Sequence, residues 1–281
     1  MSSAPVRGVL LDLEGTLFAH GEALPGAAAA VAALREQGLG IRFLTNIDSL
    51  SPVSVAAKLA GCGLSIPVEE LFTPVSAVRA FFAAAPGARV LTVLSTALRG
   101  EFAHLEGDDR EGDDREGTPT GGTVCDGTAR HTHVLVGDCR DVLDYAMLDG
   151  AFRALRSGAE LVALQRGRYF RREDGDHLDT GAVVAGLEYS AGVQARVLGK
   201  PSTDFFALAA RSLGLSVAEC VVVGDDATTD IAGGRDAGAR TVHVRTGKFA
   251  DQQAEGITGE ADATIDSVAD LPGLLAGLLS G

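Results

Sequence analysis

Short apolar runs alternate with helical patterns from the start of the chain. Val9 to Leu11 is wholly apolar and ends at Asp12, which is typical of a strand buried on both faces of a parallel sheet. An alanine-rich helix is predicted at 27–34 and a second apolar strand at 41–44. A strand, a helix and a second strand in this order form a βαβ unit, which requires a parallel pair with a right-handed crossover.

The pattern continues along the chain and predicts an α/β protein. Further strands are predicted at 90–94, 133–136, 160–164, 220–223 and 241–244, and helices at 52–60, 75–84, 142–155, 181–189, 205–213, 229–237 and 271–279. The last helix is apolar at helical spacing, so we expect it to dock on the core.

Pro86-Gly87 is the first expected domain boundary, because this pair interrupts the periodic pattern. The segment that follows has strands and helices of its own, so it can form a small domain rather than a long loop. We therefore expect a core domain from 1–86 and 194–281, and an inserted α/β domain at 87–193.

Composition indicates a globular protein and does not favour polyanionic partners. Of 281 residues, 46% are hydrophobic and 22% charged, and the formal charge of −14 does not favour nucleic acid or an anionic membrane. Residues 106–117 read EGDDREGDDREG, and they supply −5 of that charge through seven acids and two arginines. Because this repeat has no apolar residue to bury, we interpret it as a disordered surface loop.

Cysteine usage and the start of the chain indicate a cytoplasmic location. The four cysteines show no paired metal spacing, and Cys62 and Cys220 lie in apolar contexts, as expected of buried thiols rather than disulfides. The first residues lack an apolar signal core, and no run approaches the roughly 20 apolar residues of a spanning helix.

Polar residues follow the ends of several predicted strands. They are Asp12, Glu14 and Thr16; Thr45 and Asn46; Lys200; and Asp225, Asp226 and Asp230. The carboxyl ends of parallel strands meet in one crevice, so we expect these side chains to come together. Carboxylates without a histidine or cysteine cluster suit Mg²⁺, and Asp12 and Asp225 are the candidate ligands.

The order of these stretches resembles the four-motif signature of the haloacid dehalogenase superfamily, most closely its class IIA members. The motifs are Asp12-Leu13-Glu14-Gly15-Thr16, Thr45-Asn46, Lys200-Pro201 and Gly224-Asp225-Asp226 with Asp230. The resemblance implies a Rossmann-like core with a smaller α/β cap inserted between the second and third motifs. It also implies Mg²⁺-dependent hydrolysis of a small phosphorylated metabolite, and pairing of two copies as a homodimer.

The resemblance also implies a role for each motif residue. Asp12 would form an aspartyl-phosphate, and Lys200 would hold Asp12 and the phosphoryl group. Thr45 and Asn46 would contact the phosphate. Asp225 would bind Mg²⁺ with Asp12 and the backbone at Glu14, while Asp230 would hold a metal-bound water or orient Lys200. Thr16 adds a hydroxyl beside the crevice, and Asp226 is either an accessory to the site or a solvated loop acid.

Glu14 departs from the family pattern, which usually has a second aspartate to protonate the leaving group and then activate water. The glutamate carboxylate is displaced by one C–C bond, ~1.5 Å. Either the site accommodates glutamate, as in the enolase-phosphatases, or the chain is a weak or inactive phosphate-binding or regulatory relative. After the second motif, Asp48 is also unusual, and we expect a helix N-cap there with Ser49 or Ser51.

The predicted cap contains candidate substrate contacts, but their sequence signals are less specific than the four motifs. Asp179 and Thr180 align with the substrate-specificity loop of the family, but either could instead cap the helix that follows. In the crevice, Asp179 would favour a cationic or hydroxylated leaving group. A basic patch could draw an acidic substrate or be an exposed hairpin face. It comprises Arg166, Arg168, Arg171 and Arg172. His131 and His133 are interpreted as structural.

Overall fold

The computed structural model describes residues 5–106, 131–172 and 174–279. The chain divides into two compact units, Met1–Phe81 with Val197–Gly281, and Phe82–Arg196. The boundaries expected from the sequence differ from these divisions by a few residues. Beyond Glu106, the acidic repeat predicted to be a disordered loop lies outside the described residues, as does Cys125.

A six-stranded parallel sheet forms the centre of the first unit. Its strands in spatial order are Ala263–Ile265, Arg240–Val244, Cys220–Gly224, Gly8–Asp12, Gly40–Leu44 and Leu71–Phe72. All residues of Gly8–Asp12 and Cys220–Gly224 are buried. Central strands of a parallel sheet are covered on both faces, which is why their sequences are apolar throughout. The predicted α/β class with a parallel core sheet is confirmed.

Helices cover the sheet of the first unit. They are Ala27–Glu36, Pro52–Gly61, Pro74–Ala83 at the junction with the second unit, Thr203–Ser212, Gly233–Asp236, Phe249–Ala254 and Leu271–Leu279, with a π-helix at Ala227–Ala232. A short antiparallel hairpin pairs Phe18–Ala19 with Glu22–Ala23. Leu271 and Leu275 belong to the hydrophobic core, so the predicted docking of the last helix is confirmed.

The second unit has its own sheet and helices. The strands Arg196–Val197, Glu160–Ala163, His133–Val136 and Val90–Val93 form a four-stranded sheet, and Tyr169–Arg172 pairs with Gly175–Leu178 as an antiparallel hairpin. Its helices are Thr96–Phe102, Tyr145–Arg156 and Gly181–Ala191. The smaller α/β unit inserted in the chain is thus present.

One predicted helix is wrong in kind. Residues 229–237 were expected to form a single helix, but the chain forms the π-helix Ala227–Ala232 and then a short α-helix. The Asp226 carbonyl accepts hydrogen bonds from both Asp230 N and Ile231 N, at 3.0 and 3.2 Å. The second of these bonds spans five residues, which is the spacing that defines a π-turn.

No helix within the described ranges combines the length and the apolar character needed to cross a bilayer.

Candidate active site

Three buried carboxylates meet at the carboxyl edge of the central sheet. Asp12 ends its strand, and Asp225 directly follows the neighbouring strand, whose register pairs Leu11 with Val223. Asp230 comes from the π-helix beyond Asp225. One carboxylate oxygen from each of the three lies within 4.8 Å of the others, and all three residues are at most 5% exposed. The sheet therefore assembles the acidic cluster that the sequence predicts.

Glycines allow the backbone to approach these carboxylates closely. Gly15 and Gly247 have positive φ values of 87° and 57°, and a Cβ atom at either position would overlap the Asp225 carboxylate. A Cβ at Gly224 would overlap Asp230 in the same way. Glycine is therefore required around the cluster for its lack of a side chain, and at two positions also for its conformation.

Lys200 lies between two of the acids. Its Nζ donates to Asp12 Oδ1 at 2.5 Å and to Asp230 Oδ1 at 2.7 Å, and the residue is 6% exposed. Burial alone would lower the pKa of Lys200, but the charges of Asp12 and Asp230 raise it well above its usual value. Lys200 therefore stays protonated at neutral pH.

The carboxylates still outnumber the buried positive charge. Burial raises the pKa of Asp12 despite Lys200, raises that of Asp225 to about 6, and raises that of Asp230 to about 7. A carboxyl whose pKa rises on burial lacks enough opposite charge to compensate for lost hydration. Hard oxygen donors with a deficit of positive charge fit Mg²⁺, which takes carboxylate ligands together with water and phosphate.

The second motif, Thr45-Asn46, contacts Lys200 rather than the three acidic residues. The Asn46 side chain donates from Nδ2 to the Lys200 carbonyl at 2.9 Å and accepts at Oδ1 from the Lys200 N–H at 2.8 Å. Thr45 is buried, and its Oγ1 accepts from Ile47 N–H at 3.2 Å. Asn46 thus positions the Lys200 backbone, and its phosphate contact stays a prediction.

In the first motif Glu14 is exposed, while the turn that follows it, residues 15–17, is buried. Gly15 N–H donates to the Phe18 carbonyl at 2.7 Å, and Thr246 Oγ1 donates to the Gly15 carbonyl at 2.6 Å, so the turn is held at both sides. Thr16 Oγ1 donates to Asp12 Oδ2 at 3.2 Å. The hydroxyl predicted beside the crevice therefore contacts the carboxylate of Asp12 itself.

Asp226 is buried and bonded, so its alternative interpretation as a solvated loop acid is wrong. It is 5% exposed, and its Oδ1 accepts from Thr228 N–H at 2.8 Å and from Gln252 Nε2 at 2.9 Å. Its Oδ2 accepts from Lys248 Nζ at 2.9 Å. These interactions hold the pKa of Asp226 far below its usual range in spite of burial.

The predicted substrate residues lie in the second unit. Asp179 Oδ1 accepts from Thr180 N–H at 2.8 Å, and the helix Gly181–Ala191 begins without a side-chain cap from Thr180. Arg166 forms an ion pair with Glu188 at 2.5 Å. Their contact with substrate stays a prediction.

Three further features expected from the sequence are a basic patch, a structural His133 and a helix cap near Asp48. Two arginines of the basic patch, Arg171 and Arg172, lie in the strand Tyr169–Arg172. This strand is one half of an antiparallel hairpin, so part of the patch does belong to the expected hairpin. His133 contacts Thr132 Oγ1 at 2.7 Å and packs edge-on against Phe82. The helix cap expected near Asp48 is formed by Ser51, while Asp48 itself is buried.

Comparison with known proteins gives the family. Residues 9–106 match the model of the haloacid dehalogenase-like hydrolases, and residues 197–271 match that of the HAD-hydrolase-like proteins. The chain belongs to the haloacid dehalogenase superfamily. The human phospholysine phosphohistidine inorganic pyrophosphate phosphatase is 30% identical over 278 residues, which cover 97% of this chain and 95% of the relative.

Solved structures place the chain within the superfamily. The p-nitrophenyl phosphatase of Archaeoglobus fulgidus superposes with a TM-score of 0.79 at 26% identity, over 96% of this chain and 99% of that one. NagD of E. coli K-12 superposes with a TM-score of 0.78 at 26% identity, over 95% and 98%. The chain is thus a class IIA, NagD-like member, an α/β-capped HAD phosphatase.

Several residues of this HAD site were not found from the sequence. Thr246 donates to the Gly15 carbonyl, and the Lys248 N–H donates to Asp225. Gln252 donates to Asp226, and His243 Nε2 lies 2.9 Å from the Asp225 carbonyl. One signal could have found the first two of them. They follow the strand Arg240–Val244, in the same position after a strand end that marks the recognised motifs.

Proposed function

We propose that this chain hydrolyses small phosphate monoesters with Mg²⁺ through an aspartyl-phosphate on Asp12. One observation supports this above the others. Lys200 links Asp12 to Asp230 by hydrogen bonds of 2.5 and 2.7 Å, while Asp225 completes a buried acidic cluster beside them. A nucleophilic carboxylate held by a lysine beside a candidate cation site suits phosphoryl transfer.

Asp12 and Asp225, with the backbone carbonyl of Glu14, would hold the ion. Asp230, which accepts from Lys200 Nζ, would hold a metal-bound water or orient Lys200. Bound Mg²⁺ supplies positive charge that offsets the phosphoryl oxygens and the acidic cluster. Thr45 and Lys200 bind the phosphoryl group, and Asn46 keeps Lys200 in place.

The reaction then has two steps. An Asp12 oxygen attacks phosphorus, the ester P–O bond breaks, and Glu14 gives its proton to the departing alkoxide. Glu14 next takes a proton from a water molecule that attacks the phosphorus of the aspartyl-phosphate. The P–O bond to Asp12 breaks, which releases inorganic phosphate and restores the carboxylate.

The names of the relatives guide the choice of substrates. Phospholysine, phosphohistidine and inorganic pyrophosphate appear in the name of the human relative, and the archaeal structure is named a p-nitrophenyl phosphatase. We propose a small phosphorylated molecule as the substrate. Nucleic acid and membranes are not proposed as partners. The resemblance suggests a homodimer, and the cysteine usage suggests a cytoplasmic location.

The test measures phosphate release from p-nitrophenyl phosphate, pyrophosphate and a panel of metabolite phosphates, with Mg²⁺ and with chelator. We expect Mg²⁺-dependent turnover that Asp12→Asn abolishes. The matched control is Asp149→Asn, the same substitution at a partly buried helical residue of the second unit, which should retain activity.

Glu14→Asp separates the proposed phosphatase from the alternative of a weak or inactive relative. If the site is built for glutamate, shortening the side chain should lower kcat, because a misplacement of about 1 Å can cost on the order of 100-fold. A wild type inert on every ester, with activity gained in Glu14→Asp, would instead identify a relative whose chemistry is switched off.

A further inference from the structure

A second cluster lies directly beside the candidate metal site, and the proposed reaction makes no use of it. Its centre is the buried carboxylate of Asp226. Lys248 Nζ donates to Oδ2 at 2.9 Å, and Gln252 Nε2 donates to Oδ1 at 2.9 Å. The carboxylate is thereby engaged on both oxygens, on the side of the short helix Phe249–Ala254.

The same two residues also bond both neighbours of Asp226, the backbone of Ala227 and the side chain of Asp225. Gln252 Oε1 accepts from Ala227 N–H at 2.8 Å, so its amide binds the side chain of one residue and the backbone of the next. The Lys248 N–H donates to Asp225 Oδ2 at 2.7 Å. Lys248 and Gln252 are four residues apart, with Gln252 N–H bonded to the Lys248 carbonyl, so both project from one face of a helical turn.

The segment that Lys248 and Gln252 hold, residues 225–227, is connected to two of the three acids of the candidate metal site. Asp225 precedes Asp226 directly, and Asp230 contacts it twice. The Asp226 N–H donates to Asp230 Oδ2 at 3.3 Å, and the Asp230 N–H donates to the Asp226 carbonyl at 3.0 Å. A shift of Asp226 would therefore move both Asp225 and Asp230.

We propose that Lys248 and Gln252 are positioning residues of the metal site. They hold Asp226 so that Asp225 and Asp230 face Asp12, and they keep the Asp226 carboxylate from competing for the ion. The inference rests on the Mg²⁺ site of the proposed function. Partners that orient the ligands of a metal typically change its affinity by about 10- to 100-fold when they are lost.

Gln252 is the better of the two residues to test. Replacing Lys248 would remove a positive charge near the ion, which favours cation binding while the loss of position opposes it. Gln252 is neutral, so Gln252→Met removes the two hydrogen bonds at nearly constant side-chain length and charge. Gln253→Met is the matched control, because Gln253 is the next residue of the same helix and is exposed.

The experiment uses the full chain and measures Mn²⁺ binding by electron paramagnetic resonance, with Mg²⁺ as competitor. Melting temperatures are recorded in chelator alongside. We expect Gln252→Met to weaken Mn²⁺ and Mg²⁺ binding about tenfold, at the lower end of the range for such partners, and Gln253→Met to leave both unchanged. In activity assays, the apparent Mg²⁺ constant should rise by a larger factor than kcat falls.

A double-mutant cycle identifies Asp226 as the intermediary. In the Asp226→Ala background, adding Gln252→Met should cost less Mn²⁺ affinity than in the wild type, because the side chain that Gln252 Nε2 holds is already gone. If Gln252→Met does not fold, Gln252→Asn keeps a neutral amide but is one methylene shorter, so it cannot bond Asp226 Oδ1 and Ala227 N–H together. It should weaken Mn²⁺ binding as well.

Two negative results are distinguishable. If wild type binds Mn²⁺ and Gln252→Met binds it equally well, whether or not its melting temperature falls, the residue is structural only and the inference is overturned. If wild type itself binds neither Mn²⁺ nor Mg²⁺, the metal site of the proposed function fails, and this inference fails with it.

Discussion

At the scale of single residues, Gly247 meets two requirements that only glycine satisfies together. Its φ of 57° lies in the left-handed region, and a Cβ atom would overlap the Asp225 carboxylate. The first requirement costs an alanine about 1 kcal/mol of stability. The second would displace a candidate metal ligand, so it bears on activity rather than on stability alone.

We therefore expect Gly247→Ala to lower phosphatase activity on the order of 100-fold, as for a displacement of about 1 Å, and to lower stability by more than the roughly 1 kcal/mol that the φ value alone costs. Gly214→Ala is the control, since Gly214 has a φ of 72° and open space where a Cβ would lie. Urea denaturation and kcat/KM separate the two effects. Equal activity in the two variants would show that the overlap with Asp225 is harmless.

At the scale of secondary structure, the helix Tyr145–Arg156 shows how one side chain sets a boundary. The apolar pattern predicts a start near residue 142, but the helix begins after Asp144, whose Oδ1 accepts from Met147 N–H at 2.7 Å. An acidic N-cap satisfies a backbone donor that the helix itself leaves unpaired and favours the positive end of the helix dipole.

Asp144→Ala should therefore destabilise the protein by about 1 kcal/mol, the usual cost of losing an N-cap side chain. Asp144→Asn keeps an oxygen acceptor in the same place and should retain most of that stability. Chemical denaturation at neutral pH gives both values. An asparagine variant as unstable as the alanine variant would indicate that charge, rather than the hydrogen bond, supports this helix start.

Most elements of the fold were predictable from the sequence because they bury an apolar face. The strands Gly8–Asp12 and Cys220–Gly224 are entirely buried, so their apolar runs and the acids that follow them were visible directly. The helix Phe249–Ala254 was missed for the opposite reason. None of its residues is buried, so it has no apolar periodicity to detect.

The candidate site was predictable to a similar degree. Asp12 and Asp225 could be placed together because each lies at the end of a core strand. Lys200 and Asp230 could be found only through the family motifs, because the strand before Lys200 belongs to the sheet of the second unit and Asp230 lies in the π-helix. The sequence could not show that Asn46 binds the Lys200 backbone, a contact across 154 residues that depends on how two loops meet. Nor could it show that Asp226 accepts hydrogen bonds from Lys248 and Gln252, because these contacts depend on the helix Phe249–Ala254, which was missed.

At the scale of the whole molecule, the acidic cluster links stability to pH and to metal. The pKa of Asp225 in the folded protein is about 6 and that of Asp230 about 7, both raised by burial above the usual value of an aspartate. The metal-free folded state therefore binds protons more tightly than the unfolded chain. Its stability from these groups is fully present below about pH 4 and is lost as the pH rises through 6 to 7.

This linkage predicts that the Asp225 carboxylate destabilises the enzyme when no metal is bound. In chelator at pH 7, Asp225→Asn should melt at a higher temperature than wild type, because it removes a buried carboxylate and its amide oxygen can still accept from Lys248 N–H. With Mg²⁺ at about 100 times its dissociation constant, wild type should gain about 2.7 kcal/mol while the variant gains less, so the order reverses. Asp149→Asn should follow wild type in both conditions. If Asp225→Asn melted below wild type in chelator, the carboxylate would be stabilising the metal-free fold, and burial would not be the dominant influence on it.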